Sequence, residues 1–251
     1  MIVINNPNNP TGAVIPKDTL LKIVDVARKH DIILFSDEVY APLFHGLAAD
    51  AETPPPPPSA LALGYERTVV TGSMSKAWAL AGIRVGWLAS RDAALVGAAA
   101  AARDYTAISV SQLDDQAAAY ALSDAVRPRL LARNLDLARR NLGLLDAFVA
   151  AHPRHCAWAA GLRPRAGTTA FLRFRRGTDA RPVDDVAFCL DLLRRAKVLL
   201  VPGSRCFGNG NGNADGAADF AGYVRVGYVC ETEVLEVALR ELSTYVAERL
   251  A

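Results

Sequence analysis

The first 90 residues alternate short β-branched apolar runs with amphipathic segments, and this alternation limits the fold more than any other feature of the chain. The opening run, residues 1–5, precedes a segment whose apolar residues recur at helical spacing, at Leu20, Ile23, Val24 and Ala27. Such alternation predicts a mostly parallel sheet with crossover helices, an α/β architecture. Three further strands are predicted, at residues 32–35, 68–71 and 85–88.

The rest of the chain predicts helices followed by a second, smaller α+β domain. Apolar residues recur at alternating spacings of four and three along one long helix: Leu131, Leu135, Ala138, Leu142, Leu145 and Val149. A coiled coil is an alternative for this seam, but the change of character after residue 152 favours a helix between two domains. We therefore predict domains at 1–125 and 153–251, joined by a helix over 126–152. Within the second domain, strands are predicted at 169–174 and 223–229, and helices at 183–196 and 234–246.

Charge and hydropathy argue against several classes of function. The 251 residues carry a formal net charge of +2, which gives no electrostatic reason to expect nucleic acid or an anionic membrane as a partner. No apolar run approaches the ~18 residues that span a bilayer, and the first residues lack the basic flank and long apolar segment of a secretory signal. The four cysteines form no C-x-x-C pair and the four histidines have no metal-binding spacing. We expect a soluble, cytoplasmic protein with reduced cysteines and no metal.

Two low-complexity segments are predicted to be loops. Residues 54–58 are five consecutive prolines, which cannot join a helix or a central strand and should form an exposed polyproline segment. The Gly-Asn repeat at 208–213 contains a G-x-G pattern, but no predicted strand leads into it and no helix begins within it. The dinucleotide-binding interpretation is therefore rejected.

Polar residues that could carry chemistry follow the predicted strands. Asp37 ends the second strand and Tyr40 lies three residues on. Ser73-Met74-Ser75-Lys76 follows the third strand, and Arg84 comes eight residues after the lysine, before the fourth strand. Hydroxyls, a lysine and an arginine suit a phosphate-bearing ligand, because guanidinium offers a bidentate fork for phosphate oxygens. Taken singly, each of these residues is as well explained by a structural role.

Together, and in this order, the motifs resemble those of a known family. Asn9-Pro10-Thr11-Gly12, Asp37-x-x-Tyr40, Ser73-x-Ser75-Lys76 and Gly82-x-Arg84-x-Gly86 resemble the class I/II aminotransferases, which are pyridoxal phosphate (PLP) enzymes of fold type I. The resemblance covers nearly the whole chain. It implies that residues 1–125 are a partial large PLP-binding domain and that a small α+β domain follows.

The resemblance also implies a role for each matching residue. Lys76 would form a Schiff base with the cofactor, and Asp37 would pair with its pyridine nitrogen and keep it protonated. Asn9 and Tyr40 would hydrogen-bond the phenolic oxygen of the ring. Lys76, Asp37 and Tyr40 form the implied catalytic set. Ser73 and Arg84 would hold the phosphate, with Ser75 as a weaker candidate; cationic neighbours and limited water are expected to favour the unprotonated amine of Lys76.

A substrate-binding arginine is implied in the small domain. Tyr223-Val224-Arg225-Val226-Gly227 resembles the strand whose arginine grips the substrate α-carboxylate, and Asn9 would contribute to the same binding. The alternative is an arginine on the solvent face of an edge strand. The implied reaction is a ping-pong exchange of an amino group between an α-amino acid and a 2-oxo acid.

The chain departs from the family pattern at its beginning, where roughly the first 150 positions of the family have no counterpart. Those positions would supply a phosphate-binding helix terminus, the aromatic ring that stacks on the cofactor and several strands, so exposed apolar edges are expected. The chain is either a fragment of an aminotransferase or a truncated homologue with weak or no activity.

Alternatives in function remain open at this point. One is a PLP-dependent lyase or synthase of the same fold, because the pocket selects the fate of the substrate. Another is a catalytically incompetent remnant that binds or regulates a full-length relative. A homodimer is expected from the resemblance.

Overall fold

The computed structural model describes residues 1–46, 55–177, 180–208 and 219–250. The chain forms two compact units. The first contains Met1–Asn8, Ala13–Asp136 and Arg165–Gly167, and the second contains Asn9–Gly12, Leu137–Pro164 and Thr168–Ala251.

The first unit is built on a four-stranded sheet in the order β1-β2-β3-β4. Its strands are β1 (Ile2–Asn5), β2 (Leu34–Asp37), β3 (Thr68–Ser73) and β4 (Gly86–Ser90). β1, β2 and β3 are parallel, as the alternation predicts, although β2 begins two residues later than expected. β4 is antiparallel to β3. The connection between them contains only the short 3₁₀ turn Ala81–Ile83, and a connection without a crossover helix returns the chain antiparallel.

Helix α1 (Lys17–Lys29) covers this sheet through the predicted apolar face. Leu20, Val24 and Ala27 are buried, and the last two pack in one cluster with Leu34 of β2 and Val70 of β3. The helix begins after Pro16, whose fixed φ and missing N–H suit a helix start. The 3.6-residue period of the sequence therefore identified this element and its buried face.

Three helices follow the sheet: α2 (Ala93–Arg103), α3 (Gln112–Leu122) and α4 (Arg127–Ala151). The alanine-rich α2 has no buried residue among its eleven, whereas α3 buries only Ala118 and Ala121. The long helix predicted at 126–152 is confirmed as α4. Its residues through Asp136 belong to the first unit and those from Leu137 onward to the second.

The second unit contains an antiparallel sheet covered by helices. Its strands are β5 (Cys156–Trp158), β6 (Thr169–Arg176), β7 (Arg181–Pro182), β8 (Val201–Pro202) and β9 (Tyr223–Gly227). The order is β5-β6-β9-β8, with β7 paired to β6. Its helices are α5 (Asp185–Ala196), the single-turn α6 (Gly203–Cys206) and α7 (Thr232–Arg249).

Side chains of the second sheet alternate in direction, as strand geometry requires. Leu172 and Phe174 of β6 and Val224 and Val226 of β9 are buried in one apolar core with residues of α4, α5 and α7. The predicted strands at 169–174 and 223–229 and the predicted helices of this unit are confirmed with small changes of boundary. β5, β7 and β8 are absent from the prediction because two or three residues show no periodicity.

The remaining sequence predictions have mixed outcomes. Pro55–Pro58 lie outside helix and strand, with Pro55 and Pro56 exposed, whereas Pro54 and residues 209–213 of the Gly-Asn repeat are outside the described residues. The four cysteines are free, as expected. Within the described ranges, no helix has the length and apolar character that crossing a membrane would require.

Candidate active site

The ends of parallel strands bring the polar motifs of the first unit to one edge of its sheet. Asn5 ends β1, Asp37 ends β2 and Ser73 ends β3. The register aligns Asn5 with Asp37 and Asp37 with Thr71 across the three strands. Open α/β sheets bind their ligands outside the carboxyl ends of their strands, so this edge is the place to look for a site.

Asp37 is held in one orientation by neighbours on both sides. The Val39 N–H and the Thr71 hydroxyl donate hydrogen bonds to Asp37 Oδ1 at 3.2 and 3.3 Å. The side-chain amide of Asn5 and the backbone N–H of Asn6 donate to the Asp37 carbonyl at 3.1 and 3.0 Å. Among the described residues, no donor contacts Oδ2. The carboxylate is therefore fixed through one oxygen and can accept a further donor through the other.

Tyr40 and Lys76 are brought together, as the sequence motifs imply. Tyr40 is buried, and the Lys76 Nζ lies 5.7 Å from the centroid of its ring, within the range of a cation–π interaction. Gly167 lies beside the same ring with φ of +76°, and a Cβ at that position would be 3.5 Å from Tyr40 Cδ1. No sequence motif indicated Gly167, because its contact with Tyr40 joins residues that are far apart in the chain.

Lys76 projects from a turn whose backbone is fixed at several points. The Ser73 hydroxyl donates to Ser75 Oγ at 2.9 Å and accepts the Ser75 N–H at 3.0 Å. The buried side chain of Asn134 in α4 donates to the Ala77 carbonyl at 2.8 Å. Asn134 and Thr71 both support the site, yet sequence reasoning missed them. The sequence does contain one indication of Thr71, because it is a polar residue near the end of β3, the strand that pairs with β2 at Asp37.

The Lys76 side chain is exposed, whereas the sequence analysis expected limited access to water. Met74, Ala77 and Trp78 occupy the buried positions of the turn and pack with Leu43. The lysine is therefore directed away from this apolar cluster.

Arg84 lies on the segment that leads into β4. It has φ of +55° at the end of the 3₁₀ turn, and its Nη1 donates to the Ala81 carbonyl at 2.9 Å. Gly86 pairs with Ser73 in the β3–β4 register, so the arginine enters β4 at the end where the Ser73 turn leaves β3. Ser73, Ser75 and Arg84 thus lie near one strand end, with the Arg84 guanidinium turned to the carbonyl of its own 3₁₀ turn.

The second unit contains its own polar pair, formed by Asn9 and Arg225. Arg225 lies on β9 between Phe171 of β6 and Val201 of β8, so β9 is an interior strand and the alternative of an edge-strand arginine is wrong. Its Nη1 donates to Asn9 Oδ1 at 3.3 Å, and its guanidinium carbon lies 5.4 Å from the centroid of the Phe207 ring. The described parts of the chain place no carboxylate at ion-pair distance from Arg225.

The donor set defines the chemistry that these residues can perform. The first unit offers a fixed carboxylate with one open oxygen, two hydroxyls and a guanidinium, and an amine that can become an imine nitrogen. This set suits an aromatic ligand with a ring nitrogen, an aldehyde and a phosphate, which is the composition of pyridoxal phosphate. The described residues contain no group of three metal-ligating side chains.

Comparisons with known proteins agree with this chemistry. The family described as aminotransferase class I and II matches residues 1–242. The capreomycidine synthase of Streptomyces vinaceus is 32% identical over 97% of this chain and 54% of its own length. The aromatic-amino-acid aminotransferase 2 of Thermococcus litoralis is 29% identical over 99% of this chain and 57% of its own length.

A solved structure gives the same result at the level of the fold. A PLP-dependent aminotransferase from Streptococcus suis superimposes with a TM-score of 0.80 and 32% identity, over 99% of this chain and 57% of that one. The chain thus spans little more than half the length of the relatives that it matches.

Proposed function

Because this chain belongs to the class I and II aminotransferases and has their fold, we propose that it acts in PLP-dependent transfer of an amino group between an α-amino acid and a 2-oxo acid. One observation carries the proposal. A fixed turn presents the exposed amine of Lys76 beside Tyr40, at the strand edge where Asp37 keeps one carboxylate oxygen open.

The polar residues identified at the strand edge of the first unit would hold the cofactor. Asp37 would accept the ring N–H through Oδ2 while Thr71 holds Oδ1. Ser73, Ser75 and Arg84 would donate to the phosphate, and Tyr40 to the phenolic oxygen. When bound, pyridoxal phosphate supplies an electron sink for the negative charge that develops at the substrate α-carbon.

Lys76 has two tasks in this proposal. Its Nζ would hold the cofactor and, when free, would remove the proton from the substrate α-carbon. The flexible side chain suits both tasks, because hydrogen bonds hold the backbone of its turn and leave Nζ able to move. The Tyr40 ring gives the ammonium form a nearby favourable contact.

Arg225 is proposed to bind the α-carboxylate. It donates one N–H to Asn9 and packs on Phe207, and the described residues offer it no acid partner. A guanidinium has five N–H donors in a planar fork, so those that remain match a carboxylate in a bidentate pair. Asn9 and Phe207 would hold the fork in place before the substrate arrives.

Amino-group transfer tests the proposal. The chain, supplied with pyridoxal phosphate, should convert amino donors such as alanine, aspartate or phenylalanine to oxo acids when pyruvate or 2-oxoglutarate is the acceptor. Lys76→Ala should lower the rate at least about a thousandfold, because it removes both the link and the base. The matched control is Lys22→Ala, which removes an exposed lysine of α1. Equal transfer by the Lys76→Ala variant and the parent would overturn the proposal.

A synthase of the same chemistry is the second candidate, favoured by the likeness to the capreomycidine synthase. Both functions would use Lys76, Asp37 and Arg225 in the same way and would differ in what happens to the substrate afterwards. Consumption of an amino acid without an oxo-acid acceptor, with a product of changed skeleton by mass spectrometry, would favour the synthase. Failure of the chain to bind pyridoxal phosphate at all would favour a binding or regulatory role.

The proposed setting of this activity is a cytoplasmic homodimer with small-molecule substrates and without nucleic acid or membrane. The exposed apolar side chains of the first unit, among them Val3 of β1 and Leu113 and Tyr120 of α3, support self-association.

A further inference from the structure

The second unit has a cavity of about 600 Å³ that takes no part in the proposed reaction. Trp158 of β5, Arg173 and Arg175 of β6 and Tyr223 of β9 contribute to its wall. No acidic residue lines it among the described residues, so its only charged groups are the two arginines. A volume of this size suits a small organic molecule.

Arg173 and Arg175 lie on one face of β6. The intervening Phe174 and the preceding Leu172 point into the apolar core, so the two arginines share the opposite face. Alternate residues of a strand are about 6.6 Å apart. Two cations held at this spacing on one face repel each other unless a negative charge lies between or beside them.

Neither arginine finds that negative charge in the described part of the chain. The strand neighbours of Arg173 are Ala157 and Tyr223, and the neighbour of Arg175 is Pro182. The Nε atoms of both arginines are buried and have no hydrogen-bond partner among the described residues. Because these Nε atoms are shielded from solvent, an anion in the cavity would meet the two guanidinium groups through their terminal nitrogens and offset their charge.

Tyr223 holds the guanidinium of Arg173 in place. The guanidinium carbon of Arg173 lies 5.5 Å from the centroid of the Tyr223 ring, and this ring also packs against Phe171 at 5.2 Å. A planar guanidinium fixed over a ring loses little freedom when it binds an oxyanion.

We propose that this cavity is a binding site for a phosphate monoester of a small organic molecule. The phosphate oxygens accept hydrogen bonds from Arg173 and Arg175, because a phosphate provides several oxygens and about two negative charges for two guanidinium forks. The remaining volume takes the organic part beside Trp158. The site shares no residue with the set proposed for amino transfer.

Calorimetric titration with adenosine monophosphate tests this site in the full chain. The parent should bind this probe, with no binding of adenosine and weaker binding of citrate. The double variant Arg173→Gln/Arg175→Gln should lose at least tenfold in affinity. Arg194→Gln removes an exposed arginine of α5 outside the cavity, and Arg84→Gln removes the arginine proposed for the cofactor phosphate. Both controls should change the affinity less than twofold.

Several outcomes would overturn the proposal. These are no binding to the parent, an affinity that falls with Arg84→Gln and not with the double variant, and citrate binding as tight as that of the nucleotide. Circular dichroism checks that the double variant folds. If it does not, Arg175→Lys keeps the charge and removes the fork, and an unchanged affinity in that variant would also contradict the assignment.

Discussion

Two adjacent aspartates of the second unit look alike in the sequence and have different environments. Asp184 is exposed and caps α5 by accepting the Ala187 N–H at 3.0 Å. Asp185 is buried and accepts the Ser204 N–H and hydroxyl at 2.9 and 2.8 Å, and the Gly222 N–H at 3.3 Å. The Asp185 carboxylate thus holds both Ser204, in α6, and Gly222, which immediately precedes β9.

This difference predicts unequal costs of substitution. Asp185→Ala leaves the buried Gly222 N–H and the part-buried Ser204 N–H and hydroxyl without their acceptor and should lower the free energy of unfolding by about 2–4 kcal/mol. Asp184→Ala removes one exposed cap and should cost about 1 kcal/mol. Urea denaturation of both variants measures the difference. A smaller loss for Asp185→Ala than for Asp184→Ala would contradict a clamping role for the Asp185 carboxylate.

The lowered pKa of His152 leads us to expect that stability depends on pH. Burial, and to a smaller extent the nearby His155, lowers the pKa of His152 below its usual value of 6.5. The unfolded chain therefore binds a proton more readily at this position than the folded chain does, so stability should fall as pH drops below about 6.5.

The variant His152→Gln isolates this effect. It loses the contact of His152 Nε2 with the Ser243 hydroxyl at every pH, so it should be less stable than the parent at pH 8. The gap in unfolding free energy between parent and variant should shrink at pH 5, because the glutamine does not titrate. A gap independent of pH would show that His152 contributes nothing to the dependence.

At the scale of helices and strands, the sequence predicted the elements whose apolar residues recur with a regular period. The apolar stripe of α1 and the seam of α4 corresponded to buried faces, and the strand predicted at 169–174 is β6. β4 is antiparallel because the segment between β3 and β4 contains no crossover helix, and the apolar period does not show this. β5, β7 and β8 are too short to show a pattern. Thr71, Asn134 and Gly167 support the site through contacts made by register and tertiary packing, which no local motif reveals.

Two glycines in different elements should respond oppositely to substitution by alanine. Gly143 lies on the exposed side of α4, and an added methyl group there would meet open space, so Gly143→Ala should stabilise the chain by about 0.5–1 kcal/mol through helix propensity. A Cβ at Gly203, at the start of α6, would lie 2.7 Å from the Tyr223 carbonyl oxygen and 3.0 Å from Phe171 Cζ.

Gly203→Ala should therefore destabilise by about 1–3 kcal/mol, because backbone atoms of β9 would have to move. Thermal unfolding of the two variants beside the parent measures both effects. Equal shifts of the melting temperature in the same direction would contradict the close packing at Gly203.

At the scale of the whole molecule, several large apolar side chains are exposed to solvent. Leu113 and Tyr120 of α3 are 84% and 71% exposed and lie two helical turns apart, which places them on one helix face. The family resemblance predicted exposed apolar edges, and the exposed Val3 of the edge strand β1 and Trp87 of β4 agree with it.

This surface predicts self-association of the chain. Sedimentation velocity at increasing micromolar concentration should show dimers or larger species, and Leu113→Lys/Tyr120→Lys should shift the distribution toward monomer. Leu199→Lys, at a residue of the second unit that is 74% exposed, serves as the control. A monomer at every concentration would oppose the proposed homodimer.

Lys76 is proposed as the residue that joins the cofactor to this chain, and the most direct test is to locate that bond. The chain is incubated with pyridoxal phosphate, reduced with borohydride, digested and analysed by mass spectrometry. We expect the added mass on the peptide that contains Lys76, with little on the other four lysines, and its loss in Lys76→Ala but not in Lys22→Ala. Label spread evenly over the five lysines, or label retained by Lys76→Ala, would contradict the role of Lys76.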